Sequence, residues 1–503
     1  MDRTLKLRIN AFTSLLNRVV ILVSGLILPR LILNNYGSSA NGLVSSINQF
    51  LSIITFLDLG VGAVVQSALY KPLAEKKFIE IGGVLLAAKK YFRKISYVLI
   101  IYIVALVILF PSIVEGNSVN YLDTVFLIFA LSINKFSQYY FGIVNELLLN
   151  ADQKSYIQLL SEIIVVLLNL LTSIVLIWSG FSLPFVKLIS GLVFLLRPIY
   201  LNYYVNKNYD LNIDTNIEEH SLPQKWNGVG QHIAYSVQNS TDIILLTIFS
   251  TLENISIYSV YNMVVNAVSL IIQSFTTGLT SFFGSLLANN EIKLLNSYFN
   301  KYEWGLHTII VYLFGLTSTL IGPFAAVYTT GVDDVNYVVP YFAFFLVLGK
   351  MIYSLRIPYH SMILAAGHYK QTQLSSYIEA GLNIMISFVL VHKYGLVGVT
   401  IGSTVALTYR LFYLIHYLSK NIVYRKVKIF VKQLGTDVIN YFFILSAGNF
   451  VVNQFYIKNF LDWIIVAIIV GLISLIIIVI INLLFYRKMF VNVRSLIFKN
   501  KNK

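Results

Sequence analysis

The chain has 503 residues, of which 57% are hydrophobic and 12% charged, and its mean hydropathy is +0.74. Soluble domains carry about 25% charged residues, so this composition excludes a soluble globular protein. The net charge of +15 would suggest nucleic acid in a soluble chain. Here the basic residues flank apolar stretches, which favours anionic lipid headgroups as their partners and argues against nucleic acid.

Apolar stretches of about 20 residues, the length that crosses a bilayer as a helix, recur along the whole chain. They predict an all-α integral membrane fold with about fourteen transmembrane helices. The first apolar run is longer than the roughly 7–15 residues of a signal peptide, which predicts a retained helix. The predicted spans are 11–33, 41–66, 91–113, 121–149, 156–180, 183–205, 224–249, 256–286, 302–324, 337–365, 372–391, 396–419, 437–456 and 461–486.

The basic residues lie mostly on one side of these spans. Of the 37 Lys and Arg residues, 27 lie in or beside the segments of one side, Lys393 and Lys458 lie on the other, and eight lie within spans. Cytoplasmic loops carry such an excess of positive charge. We therefore predict a multi-pass protein of the cytoplasmic membrane with both termini in the cytoplasm.

Motifs of enzymes and cofactor sites are absent from the sequence. There is no cysteine, which excludes disulfides and thiolate chemistry. Lys350 follows Gly349 without the spacing of a phosphate-binding loop, and neither H-E-x-x-H nor G-x-S-x-G occurs. We expect a protein that is not an enzyme and that has no cofactor and no metal site.

The chain repeats itself at an offset near 214 residues. The segment 147–163 resembles 362–380, and the turns at 178–183 and 392–398 also correspond. The repeat predicts two pseudo-symmetric six-helix bundles in the same orientation, followed by two further helices. Parallel repeats are a transporter architecture, with the substrate at their interface. The predicted domains are an N-terminal lobe (1–205), a cytoplasmic linker (206–223), a C-terminal lobe (224–420) and a C-terminal region with helices 13 and 14 and a basic tail (421–503).

Charged residues inside a membrane are costly, which makes them functional candidates. Eight basic residues exceed the five acidic ones, so the surplus needs an anion, and phosphate or pyrophosphate suits the guanidinium fork. Arg30 and Lys187 lie close enough to the outer ends for their side chains to reach the headgroups, and Glu146 lies near an inner end. The predicted substrate-binding residues are Arg18, Lys135, Arg197, Lys350, Arg356 and Arg410.

Several of these residues are related by the repeat. Arg18 corresponds to His232, Lys135 to Lys350, Arg197 to Arg410 and Glu162 to Glu379. The alternative interpretation is structural, because buried bases can pair with buried acids and fix the helix packing.

A smaller set of residues could bind a coupling ion or a proton. These candidates are Asp58, Asp242, His232, Glu162 and Glu379. His232 and His360 are predicted to be the only histidines well inside spans. For each candidate, a role in packing is the alternative.

The segment 25–62 and the basic stretch 68–77 resemble a known family. A Tyr-Gly turn follows helix one, Gly-Leu opens helix two, and Asp-Leu-Gly stands near its inner end. This pattern resembles the Wzx-type polysaccharide repeat-unit flippases of the multidrug/oligosaccharidyl-lipid/polysaccharide (MOP) exporter superfamily. The resemblance implies two six-helix lobes, alternating access and an undecaprenyl-pyrophosphate-linked oligosaccharide as the substrate, with Arg18 matching a cationic cavity residue in placement.

The resemblance implies a bacterial protein of capsule or O-antigen-like polysaccharide synthesis, whose partners are membrane lipids, a polysaccharide polymerase and the export machinery. Alternatives within transport are a lipid II or teichoic-acid precursor flippase. The alternative of another class is a membrane polysaccharide polymerase or glycosyltransferase. Such enzymes have a long extracytoplasmic loop, whereas the outer loops predicted here are short.

Overall fold

The computed structural model describes residues 3–58, 60–114, 120–209, 229–276, 278–487 and 489–490. These residues form helices and turns, without a strand among them. The helices are α1 (Arg3–Ser52), α2 (Val61–Glu75), α3 (Phe78–Ile113), α4 (Tyr121–Ser137), α5 (Ile143–Ala151), α6 (Ser155–Trp178), α7 (Leu183–Asn208), α8 (Val229–Phe249), α9 (Leu252–Ser274), α10 (Leu279–Ala288), α11 (Ile292–Tyr328), α12 (Pro340–Leu355), α13 (Ile357–Ala365), α14 (Tyr369–Asn421), α15 (Val427–Val452) and α16 (Phe460–Phe485).

Two of these helices are each a pair of spans joined by a glycine. Helix α1 has 50 residues and α14 has 53, which at 1.5 Å per residue is more than twice the roughly 30 Å of a hydrocarbon core. Gly37 in α1 has φ 81° and Gly395 in α14 has φ 49°, so the helical path breaks at both glycines. Glycine suits these positions because a side chain disfavours positive φ.

The order of fourteen predicted spans is confirmed. In the described part of the chain, nine helical stretches are long and apolar enough to cross a membrane, and the two kinked stretches contain two predicted spans each. The other three predicted spans coincide with α4 and α5, with α8, and with α15.

Backbone landmarks recur at the spacing of the sequence repeat. Left-handed residues end the corresponding helices in the two halves: Lys76 and Asn290 (φ 55° and 56°), and Gln153 and Gly367 (φ 57° and 72°). Both pairs are 214 residues apart. This agreement supports the internal repeat more strongly than the low sequence identity does.

Helix interruptions recur as well, and two of them carry charged residues. In the second span a 3-10 turn ends at Asp58 before α2, and in its counterpart a turn separates α9 from α10. In the fourth span a π-helical turn, Gln138–Gly142, separates α4 from α5, and Arg356 separates α12 from α13. Such interruptions are frequent at functional sites.

The chain forms two compact units, Met1–Ile257 and Tyr258–Lys503. In the N-terminal unit α1 packs on α6 and α8, and α4 packs on α7. Helix α8, which the sequence assigned to the C-terminal lobe, therefore packs within the N-terminal unit. Most of the predicted linker 206–223 lies outside the described residues.

In the C-terminal unit α12 packs on α14, and α11 packs on both α15 and α16. Aromatic side chains that are completely buried form its core, among them Phe283, Phe299 and Phe430. Trp304 of α11 donates a hydrogen bond of 2.7 Å from its indole nitrogen to the amide oxygen of Asn482 on α16. The two last helices are thus fixed to the bundle by packing and by a buried polar contact.

Candidate functional site

Three predicted charges of the N-terminal unit meet in one cluster. Arg197 on α7 lies 3.3 Å from Glu146 on α5 and 3.6 Å from Glu162 on α6. The side chains are largely buried, so the attraction between them is little screened. One arginine faces two glutamates, and this N-terminal triad carries a formal charge of −1.

A matching cluster lies in the C-terminal unit with the opposite balance. Arg356 lies 2.5 Å from one carboxylate oxygen of Glu379, and Arg410 lies 3.5 Å from the other. Arg410 also donates a hydrogen bond of 3.0 Å to the backbone carbonyl of Thr372, and Arg356 stacks 4.2 Å from the ring centre of Tyr353. This C-terminal triad carries a formal charge of +1.

The two triads are built from repeat-related residues. Arg197 and Arg410 correspond, and each bonds the glutamate of the preceding span, Glu162 or Glu379. The third member differs: it is Glu146 in one half and Arg356 in the other. The arginines predicted to wait for an anion are therefore already paired with carboxylates, and only the C-terminal triad keeps a positive surplus.

The other predicted cations differ in their surroundings. Lys350 donates a hydrogen bond of 3.3 Å to the side-chain oxygen of Asn266 on α9. Arg18 on α1 is exposed, and Lys135 on α4 is half-buried. Neither Arg18 nor Lys135 has an ion-pair partner among the residues that the structure describes. These two side chains are the predicted cations best placed to receive an external anion.

The coupling-ion candidates do not form one site. Asp58 is half-buried at the end of the 3-10 turn, and Asp242 is buried on α8. Glu162 and Glu379 belong to the two triads. The side chain of His232 lies outside what the structure describes.

Lys187 is placed differently from the prediction. Its side chain was expected to reach the outer headgroups, but only 8% of the residue is exposed. It faces a cavity of about 330 Å³ within the N-terminal unit. The error has a simple cause, because depth along a helix does not tell which face a side chain occupies.

A third charged cluster was missed by the sequence analysis. His307 on α11 lies 2.6 Å from Asp437 on α15, and Arg425 lies 2.7 Å from Glu303 on α11. The hydroxyl of Tyr359 lies 3.3 Å from the other ring nitrogen of His307. All five residues are buried. This cluster fixes α15 to α11 through ionic contacts.

The prediction that His232 and His360 are the only histidines well inside spans is wrong, because His307 is completely buried. Arg425 was assigned to a cytoplasmic segment and Asp437 to the first position of a span. The signal available in the sequence was the spacing of Glu303 and His307, which puts both side chains on one face of a helix.

No family model and no curated protein sequence matches the chain. Solved structures do match it. One is described as the lipid II flippase MurJ in an inward closed conformation, with a TM-score of 0.68 and 16% identity, covering 96% of this chain and 99% of that one. Another is an inward-facing multidrug resistance MATE family transporter of the MOP superfamily, with a TM-score of 0.61, 13% identity and coverage of 81% and 98%.

A third is a MOP superfamily transporter from Pyrococcus furiosus, whose description reports a binding pocket of reverse polarity. Its TM-score is 0.50 at 15% identity, and it covers 82% of this chain and 94% of that one. At these identities the likeness establishes the fold. The chain has the multi-pass helical fold of MOP superfamily transporters and flippases.

Proposed function

We propose that the chain moves an undecaprenyl-pyrophosphate-linked oligosaccharide repeat unit across the bacterial cytoplasmic membrane for the synthesis of a surface polysaccharide, capsule or O-antigen-like. The observation that carries this proposal is the likeness to a flippase structure over 96% of the chain. That coverage leaves about 4% of the chain unmatched, so it includes most of α15 and α16 as well as the two repeats. The MATE structure covers only 81%.

The chemistry of the substrate headgroup fits the cationic residues. A pyrophosphate accepts paired hydrogen bonds from a guanidinium group, which keeps its charge at all physiological pH values. Arg18 and Lys135 are the first candidates because they have no ion-pair partner among the described residues. The polyprenyl tail stays in the lipid, and the headgroup and glycan follow the protein.

The C-terminal triad would contribute through its positive surplus. Because Arg356 and Arg410 share one glutamate, either arginine can turn to a phosphate while the other remains paired with Glu379. The N-terminal triad has no such surplus, and we assign Arg197 a structural part beside its predicted role. Lys350 would bind the glycan or the headgroup beside Asn266.

The energy source has to lie outside this chain's own chemistry, because no nucleotide-binding motif is found in the sequence. An ion gradient, the membrane potential or consumption of the product would drive the transport. Asp58, Asp242 and His232 are the proposed coupling residues, with Glu162 and Glu379 engaged in ion pairs.

A second candidate is favoured by the description of the first of these structures, which names lipid II. A lipid II or teichoic-acid precursor flippase would use the same cationic residues for the same pyrophosphate or phosphate chemistry. A polymerase or glycosyltransferase is disfavoured, because the structures that the chain resembles are described as transporters or a flippase.

The proposal is tested in cells that depend on this chain for their surface glycan. Arg18→Ala should reduce the surface glycan at least about tenfold and cause its lipid-linked precursor to accumulate, with normal membrane levels of the protein. Arg18→Lys should restore export only in part, because lysine cannot form the bidentate contact. Normal export by Arg18→Ala, and by the same substitution at Lys135, would contradict the cationic site.

A further inference from the structure

We propose that the cavity beside Lys187 in the N-terminal unit is a binding site for a small monoanion, either a halide or the carboxylate of a small organic acid. This proposal does not depend on which lipid the protein moves. It concerns a site enclosed by α1, α4, α6 and α7, whose lining includes Lys187, Asn48, Asn134 and Asn169.

The first step is the isolation of the lysine. Lys187 is 8% exposed and has no carboxylate partner and no hydrogen bond among the described residues. An unpaired ammonium group in such surroundings costs several kcal/mol. A bound anion removes this cost, whereas the neighbouring helices offer the lysine none.

The second step is the chemistry of the lining. Asn48, Asn134 and Asn169 carry amide groups, and Ser24 and Ser190 carry hydroxyls, so all five side chains can donate a hydrogen bond to an anion. Lys187 is the fifth residue of α7, about 6 Å along the axis from the N-terminal end, which is the positive end of the helix dipole. The lysine and the dipole therefore act in the same direction.

The third step is a comparison with the other repeat. Asn383 and Ser403 correspond to Asn169 and Ser190 by the backbone landmarks of the two halves, and there the Asn383 amide donates a hydrogen bond of 2.7 Å to the Ser403 hydroxyl. The residue that corresponds to Lys187 is Thr400, whose hydroxyl bonds a carbonyl of its own helix. In the described N-terminal unit no bond joins Asn169 and Ser190, and the side-chain oxygen of Asn169 is buried without a partner.

This comparison shows that the helix pair packs without a lysine at that position. A charge present in only one of two related helix pairs, facing a cavity lined by hydrogen-bonding groups, is the arrangement of a ligand site. The volume of about 330 Å³ is at the lower end of the roughly 300–1,000 Å³ found for ligand pockets. It suits a hydrated halide or a small carboxylate.

The test uses the full-length protein purified in a neutral detergent at low salt. Its apparent melting temperature is measured while sodium chloride or sodium glucuronate is added. Ligands that bind the folded state alone stabilise it in proportion to their saturation. We expect a saturable rise of at least about 3 °C with one of the two anions.

Lys187→Met and Lys187→Thr should lose this rise, Lys187→Arg should keep it, and the control Lys393→Met, at an exposed position, should behave as the wild type. A rise with chloride alone identifies a halide site, and a rise with glucuronate identifies a carboxylate site. The proposal is overturned if neither anion raises the melting temperature, or if both neutral variants show the same rise as the wild type. If neither neutral variant folds, the comparison of wild type with Lys187→Arg still decides whether a saturable rise exists.

Discussion

At the scale of single residues, the buried charges of this protein divide into paired and unpaired ones. Arg197, Arg356 and Arg410 each contact a glutamate, whereas Arg18 and Lys135 have no ion-pair partner among the described residues. Pairing stabilises helix packing, and an unpaired cation favours an external anion. The same residue type therefore serves two purposes, and substitutions should separate them.

The two triads predict unequal effects of one substitution. Glu379→Gln leaves two buried arginines without a counter-charge, and we expect a loss of about 3–5 kcal/mol of stability, the usual cost of breaking a buried pair. Glu162→Gln leaves Arg197 with Glu146 and should cost much less. The apparent melting temperatures of the purified variants measure the difference. Equal losses would show that the triads do not act as described.

A second prediction separates binding from packing. Arg18→Ala should reduce glycan export and leave the melting temperature unchanged, because this side chain is exposed and makes no ion pair with a described residue. Arg197→Ala should lower the melting temperature, since it leaves Glu146 and Glu162 facing each other. Export and thermal unfolding are measured on the same preparations, and a reversed pattern would refute the assignment.

At the scale of the helices, close contacts depend on small residues. A Cβ atom added at Gly42 of α1 would lie 1.8 Å from the backbone carbonyl oxygen of Leu252, at the start of α9. Backbone cannot move aside as a side chain can, so Gly42→Ala should separate the two helices. At Gly381 in α14 an added Cβ meets nothing within 4 Å.

We therefore expect Gly42→Ala to lower the apparent melting temperature by several degrees, and Gly381→Ala to leave it unchanged or raise it, since alanine has a helix propensity about 1 kcal/mol better than that of glycine. Thermal unfolding followed by circular dichroism distinguishes the two. A stable Gly42→Ala protein would show that this contact is looser than described.

The helices also show what the sequence could predict. Apolar length and the placement of Lys and Arg were enough for fourteen spans, because the bilayer imposes one requirement on every helix. The repeat could be inferred from two pairs of turns, and Gln153 and Gly367 now mark it in the backbone. The break after Asp58 was suggested by the adjacent glycine.

Which side chains meet could not be predicted, because helix rotation and tilt are set by packing. The four charges Glu303, His307, Arg425 and Asp437 lie on different helices or near span ends, and hydropathy gives no account of their contacts. Lys187 shows the same limit: its position was known, but its direction toward a cavity was not.

At the scale of the whole molecule, the placement of charge predicts the orientation in the membrane. A reporter fused after Lys503 should be active in the cytoplasm only, and a reporter placed in the turn around 331–334 should be active outside. The physical reason is the excess of basic residues on one side of the spans. External activity of the C-terminal fusion would reverse the orientation and with it the direction of transport.

The central claim is that this fold moves a lipid-linked oligosaccharide by binding its anionic headgroup. The most direct test is a flipping assay in liposomes that contain the purified protein and a fluorescent undecaprenyl-pyrophosphate-linked oligosaccharide, with lipid II assayed in parallel. We predict that the wild type exposes the oligosaccharide of the inner leaflet to an external quencher at least about tenfold faster than empty liposomes. Arg18→Ala should lose most of this acceleration. If the wild type moved neither lipid faster than empty liposomes under an imposed ion gradient or membrane potential, the proposed function would be wrong.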